Sequence, residues 1–202
     1  RLISVYFTEG NVVAAAQASR NLLQKAQGAK SLFDQQMAYL AIGAAAYEMN
    51  ELETAIDGFG RGADLRHAGN VRAGHECLVG LALAYRAAGR SEEMRATVAQ
   101  LTEYHVETAS TVLTAEVVSL QRRLGLLSSG LKTSDVLRHS VPTRTGMWYG
   151  WLEIPAITQV RVALTADQQS AGAQGQSLAQ VDAALEQLMA VAPELHKPGY
   201  QA

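Results

Sequence analysis

Residues 80–101 read GLALAYRAAGRSEEMRATVAQL, and residues 41–62 read AIGAAAYEMNELETAIDGFGRG. Both run from small apolar residues through a tyrosine and a turn signal into an acid-rich start. Their turn residues are Asn50 and Gly89, and Gly10 and Gly130 stand in similar settings. The intervals are 50 − 10 = 40, 89 − 50 = 39 and 130 − 89 = 41. Helix stops favour Gly or Asn, because the left-handed backbone costs these residues least. Acids then favour the positive end of the next helix. Asn50-Glu51-Leu52-Glu53 reads as a variant capping box, and Ser91 before Glu92 and Glu93 reads as a cap. A spacing near forty residues with a turn in the middle is the signature of repeated helix hairpins.

Aligned on the turns, the units share positions. Ile42-Gly43 and Leu81-Ala82 precede their turns by the same distance, and Ala15, Ala55 and Met94 follow by five. Ser19, Phe59 and Val98 follow by nine, whereas Asp135 breaks the pattern and marks the fourth unit as degenerate or displaced. Small residues let the two helices of a hairpin approach, and larger ones fill the gap to the next. The fold class expected is all-α, a right-handed superhelical solenoid of antiparallel hairpins forming a single domain over residues 1–202. Helices are expected at 2–8, 12–27, 32–49, 51–66, 71–88, 92–105, 110–127, 131–139, 152–166 and 178–192. Residues 140–151 read as a connector, and DQQSAGAQGQ at 167–176 as a mobile loop. Such a stack presents an inner face built mainly from the first helix of each hairpin.

The totals agree. The chain has 202 residues, 48% hydrophobic and only 6% aromatic, which suits closely packed alanine-rich helices. Seventeen basic against nineteen acidic side chains give a formal charge of −2, against a direct nucleic-acid surface. No run of about 18 apolar residues exists, so no membrane partner is expected. The single cysteine, Cys77, excludes an internal disulfide and reads as a buried core thiol in a cytoplasmic setting. The start at Arg1, without Met or a signal pattern, reads as a fragment of a longer chain.

Chemistry-bearing motifs are few. GFGRG at 58–62 looks like a nucleotide fingerprint but lies inside an expected helix without a preceding strand. Close packing at Gly62, with weak spots at Gly58 and Gly60, accounts for it instead. GAKS at 28–31 lacks the glycine that precedes lysine in a phosphate loop. His67, His75, His105, His139 and His196 form no metal-ligand pair, so no metal is expected. His75 with Glu76 could line a groove, but reads better as a solvated helix start. No nucleophile–base arrangement stands out, and the expectation is that the chain is not an enzyme and holds no cofactor. MWYGWLE at 147–153 carries both tryptophans. Trp148, Trp151 and Glu153 offer aromatic faces and a carboxylate to a small polar ligand or a partner side chain. The other reading is that Trp148, Tyr149 and Trp151 fill a gap between the fourth and fifth units.

Ile42, Gly43, Tyr47, Ala55, Phe59 and Gly62, and more closely Leu81, Ala82, Tyr85 and Gly89, resemble tetratricopeptide signature positions. The period is longer than that repeat's usual length. With WLEIPAITQVRVAL at 151–164, it resembles the helical-repeat arm of the LuxR-type, MalT-like ATP-dependent bacterial transcription activators. Trp151, Leu152, Glu153, Pro155, Thr158, Arg161 and Val162 match the arm's aromatic-Leu-Glu-x-Pro block, and the resemblance spans essentially the whole chain.

The resemblance implies a sensor arm between an upstream ATPase domain and a downstream helix-turn-helix, so ATP is expected only outside this stretch. It implies a small-molecule inducer or protein partner on the concave face, possible self-association, and no direct DNA binding by these residues. Tetratricopeptide phase puts Met37, Leu40, Ala44, Tyr47 and Glu48 of the second unit inward. In the third unit it puts Glu76, Val79, Leu83, Arg86 and Ala87 inward, and in the fifth Ile154, Ile157, Arg161, Leu164 and Thr165. Tyr47, Glu76, Arg86 and Arg161 are the polar candidates, with surface ion pairing the alternative for each arginine. A general tetratricopeptide adaptor for proteins or peptides is the rival function.

Overall fold

A computed structural model describes residues 2–108, 111–126 and 158. Every described element is an α-helix: α1 Leu2–Thr8, α2 Val12–Gly28, α3 Leu32–Glu48, α4 Leu52–Asp64, α5 Val71–Ala87, α6 Ser91–Thr108 and α7 Thr111–Arg123. The described residues fall into two units, 2–108 in one and 111–126 with Thr158 in the other. The helices expected at 131–139 and 178–192, the connector at 140–151 and the loop at 167–176 lie outside the described residues. Of the helix expected at 152–166, Thr158 alone is described; it is helical and buried.

Five of the seven described helices, α1, α2, α3, α5 and α7, stop for one physical reason. At Gly10, Lys30, Asn50, Gly89 and Gly125 the backbone turns left-handed, with φ between 55° and 74°. At each, the N–H of that residue donates to the carbonyl three back and the next N–H to the carbonyl five back. At Asn50 these bonds are Asn50 N–H to Tyr47 C=O, 3.0 Å, and Glu51 N–H to Ala46 C=O, 2.8 Å. This closure satisfies carbonyls that the helix end leaves bare. Gly10, Asn50 and Gly89 are the turn residues that the spacing predicts. The next closure among the described residues is Gly125, 125 − 89 = 36 residues on, so α7 ends short of Leu127. Lys30 adds a closure between α2 and α3, and the first three lie 20 residues apart (30 − 10, 50 − 30).

Starts differ from the sequence reading. Asn50 belongs to the end of α3, and Glu51, which precedes α4, makes no side-chain cap. Ser91 is the first residue of α6, not its cap, while Glu92 and Glu93 do fill the first turn. Side-chain caps come from Asn11 to the Ala14 N–H, Ser31 to the Asp34 N–H and Asn70 to the Ala73 N–H.

In the first unit each helix packs on its chain neighbours, and α3 also packs on α5. Short connections make successive helices antiparallel, so α3 and α5 run the same way. The centre is Phe59 of α4, fully buried between two glycines. A Cβ on Gly43 of α3 would stand 2.6 Å from the Phe59 ring, and one on Gly80 of α5 would stand 2.5 Å from it. Gly58 lies against the Gly43 backbone: its Cβ would stand 2.8 Å from Gly43 N and 3.0 Å from Gly43 Cα. Gly62 lies against Cys77 Sγ. GFGRG is therefore a packing device. Gly62 behaves as expected, but Gly58, read as a weak spot, marks the closest backbone approach. Gly60 faces open space.

In the second unit α7 buries Leu113, Glu116, Val117 and Leu120 at helical spacing, and Leu124 is buried just past its end. No described helix is long and apolar enough to cross a membrane.

Candidate functional site

The inward positions expected on α3 and α5 divide by burial. Leu40, Ala44, Glu76, Val79 and Leu83 are buried. Met37 and Tyr47 are half-buried, and Glu48, Arg86 and Ala87 are exposed. Apart from half-buried Met37 near the amino end of α3, the accessible part of this face lies at the carboxyl ends of α3 and α5. There Tyr47 and Arg86 each occupy the next-to-last helical position. The two helices run together and pack directly, so these side chains share one end of the first unit.

Arg86 suits that place electrostatically, because a cation at a helix carboxyl end complements the dipole. Its planar guanidinium can engage a carboxylate or phosphate through two parallel bonds. Tyr47 offers an apolar ring with a polar tip. Arg90, in the next turn, stands 4.8 Å from the centre of the Tyr85 ring. Its Nε donates to Glu93 at 2.8 Å, and Nη1 lies 3.6 Å from Glu53. The bond from Arg90 holds the Glu93 carboxyl below its ordinary range.

Glu76 is elsewhere. It lies ten residues before Arg86, about 15 Å along the helix at 1.5 Å per residue. It is 2% exposed, and Arg72 Nη2 stands 2.7 Å from its Oε1. His75 beside it is fully buried, so the two are not the solvated helix start that the sequence suggested. Burying a carboxylate costs several kcal/mol unless a partner offsets it, and Arg72 supplies that partner. Arg72 was not among the sequence candidates, although its four-residue spacing from Glu76 was the signal that could have found it.

Cys77, also on α5, is buried as expected, and burial pushes its thiol well above the ordinary range, with Glu76 adding to the effect. Among the described residues no three His, Cys, Asp or Glu side chains gather as metal ligands. Trp148, Trp151, Glu153 and Arg161 lie outside the described residues. No protein-family model matches the chain, and no curated protein or solved structure matches it.

Proposed function

We propose that this chain is the ligand- or partner-sensing helical-repeat arm of a LuxR-type, MalT-like transcriptional regulator. In this reading it relays inducer binding to ATPase and DNA-binding domains outside this stretch. The observation that carries the reading is the recurrence of one helix closure at Gly10, Asn50 and Gly89, joined to the Glu-x-Pro block that begins at Trp151. A repeated hairpin sets equivalent helices side by side, which gives a ligand a surface assembled from several units. The residues assigned to first contact are Tyr47 and Arg86, because they are the accessible polar candidates on neighbouring equivalent helices. An inducer with an anionic or hydroxylated group fits them.

A general tetratricopeptide adaptor is the second reading. It is favoured by Leu81, Ala82, Tyr85 and Gly89, which fit that signature without the Glu-x-Pro block. The complete gene separates the two. The regulator reading requires a phosphate loop encoded upstream and a helix-turn-helix downstream. A gene with neither removes it and leaves the adaptor.

A further inference from the structure

Five helix ends in the described residues are closed by a left-handed residue and its paired backbone bonds, and the α4–α5 connection lacks that closure. Residues 65–70 contain no left-handed residue. Their backbone bonds include Leu65 N–H and Arg66 N–H to the Ala63 C=O of α4, and Ala68 N–H and Gly69 N–H to Leu65 C=O. Two further groups of the connection, the Asn70 N–H and the Arg66 C=O, are met by side chains from far along the chain. The Asn70 N–H donates to Oε1 of Gln36 on α3 at 2.6 Å, and Gln36 Nε2 donates to the Gly62 carbonyl of α4 at 3.4 Å. Gln36 is fully buried, and Gly69 lies against its amide with no room for a Cβ. From the other side, the Tyr104 hydroxyl of α6 donates to the Arg66 carbonyl at 3.0 Å. Burial pushes that hydroxyl above its ordinary range, which keeps it a donor.

From this geometry we infer that the α4–α5 connection is a side-chain latch, a joint that opens locally without the rest of the unit unfolding. A closure made within one turn breaks only when that helix end frays. A closure made by Gln36 and Tyr104 breaks when α3 or α6 shifts against the connection. Movement of either helix is thereby transmitted to the joint between the α3–α4 and α5–α6 pairs. The inference does not rest on the proposed function. It would, however, give an arm of that kind a place to change angle.

Hydrogen exchange followed by mass spectrometry on the 202-residue chain tests it. In the wild type, peptides covering residues 65–71 should exchange at a rate nearly independent of dilute urea, since local opening exposes little surface. Gln36→Met should raise that rate on the order of tenfold, because a buried N–H loses its acceptor. Peptides spanning Gly10, Lys30 and Asn50 should change less than about twofold, being closed by their own backbone. Tyr104→Phe removes only the hydroxyl and should give the same local pattern, so it decides the matter if Gln36→Met does not fold. Equal acceleration everywhere, no acceleration at 65–71, or wild-type exchange there that rises with urea as steeply as in the α5 core would overturn the latch.

Discussion

Gly58 and Gly60 sit two residues apart on one helix and should respond oppositely to the same substitution. A methyl on Gly58 would stand 2.8 Å from Gly43 N, 3.0 Å from Gly43 Cα and 3.3 Å from Tyr39 O. All three are backbone atoms, so no side chain can swing away. Relief requires α3 and α4 to part by about 1 Å, since apolar contact is comfortable near 3.5–4 Å. Parting them also loosens Phe59 between Gly43 and Gly80. Overpacking of this kind costs about 3 kcal/mol, and the better helix propensity of alanine returns about 1. The net expected for Gly58→Ala is a loss of about 2 kcal/mol, a fall in Tm of about 4–8 °C for a chain of this size. Gly60 has no atom within 4 Å of its would-be Cβ. Gly60→Ala should therefore gain about 0.5–1 kcal/mol and raise Tm by about 1–4 °C. Thermal and urea unfolding followed by circular dichroism at 222 nm reads both. If Gly58→Ala matched the wild type, or Gly60→Ala fell with it, the glycine-to-backbone packing of α3 on α4 would be refuted.

Other outcomes follow from the same contacts. Gly80→Ala should destabilise by about 2 kcal/mol, and Phe59→Leu in the same chain should recover part of that loss, because the obstacle is a ring; additive losses in a double-mutant cycle would count against the wedge. Lys30 holds φ 55° without being Gly or Asn, so Lys30→Gly should stabilise by about 0.5–1 kcal/mol in urea titration. Cys77 should resist a thiol reagent at pH 8 in the native chain and react at once in denaturant, since burial disfavours its thiolate. Glu93 has a folded pKa below its ordinary 4.5, so its contribution is fully present above that value and fades as pH falls through the lowered one. Unfolding of Glu93→Gln and wild type should accordingly differ at pH 6 and converge on acidification.

The sequence showed what repeats and hid what happens once. Turn residues at Gly10, Asn50 and Gly89 were legible because left-handed backbone restricts residue choice at a single position. Lys30 was not, because nothing in a lysine announces that conformation. The seven described helices were legible from their stops and starts to within a few residues. Gly58 was misread because a glycine inside a helix looks like a weakness until the neighbouring backbone is seen. The candidate site was legible as a phase but not as a surface. Helical phase assigned Glu76 and Arg86 to one face, yet burial separated them. Arg86 stands at the open end, and Glu76 is enclosed with Arg72. Gln36 and Tyr104 carried no local signal, since their partners lie 34 and 38 residues away.

The most direct measurement of the sensing claim is a thermal-shift titration of this chain against sugars, small anionic metabolites and short peptides. A ligand at 100 times its Kd stabilises by about 2.7 kcal/mol. For a chain of this length that is a rise in Tm of about 5–11 °C. The account predicts such a rise for at least one compound, and its loss in folded Tyr47→Ala and Arg86→Ala variants. A rise that persists undiminished in both variants, or no rise with any compound, would contradict it.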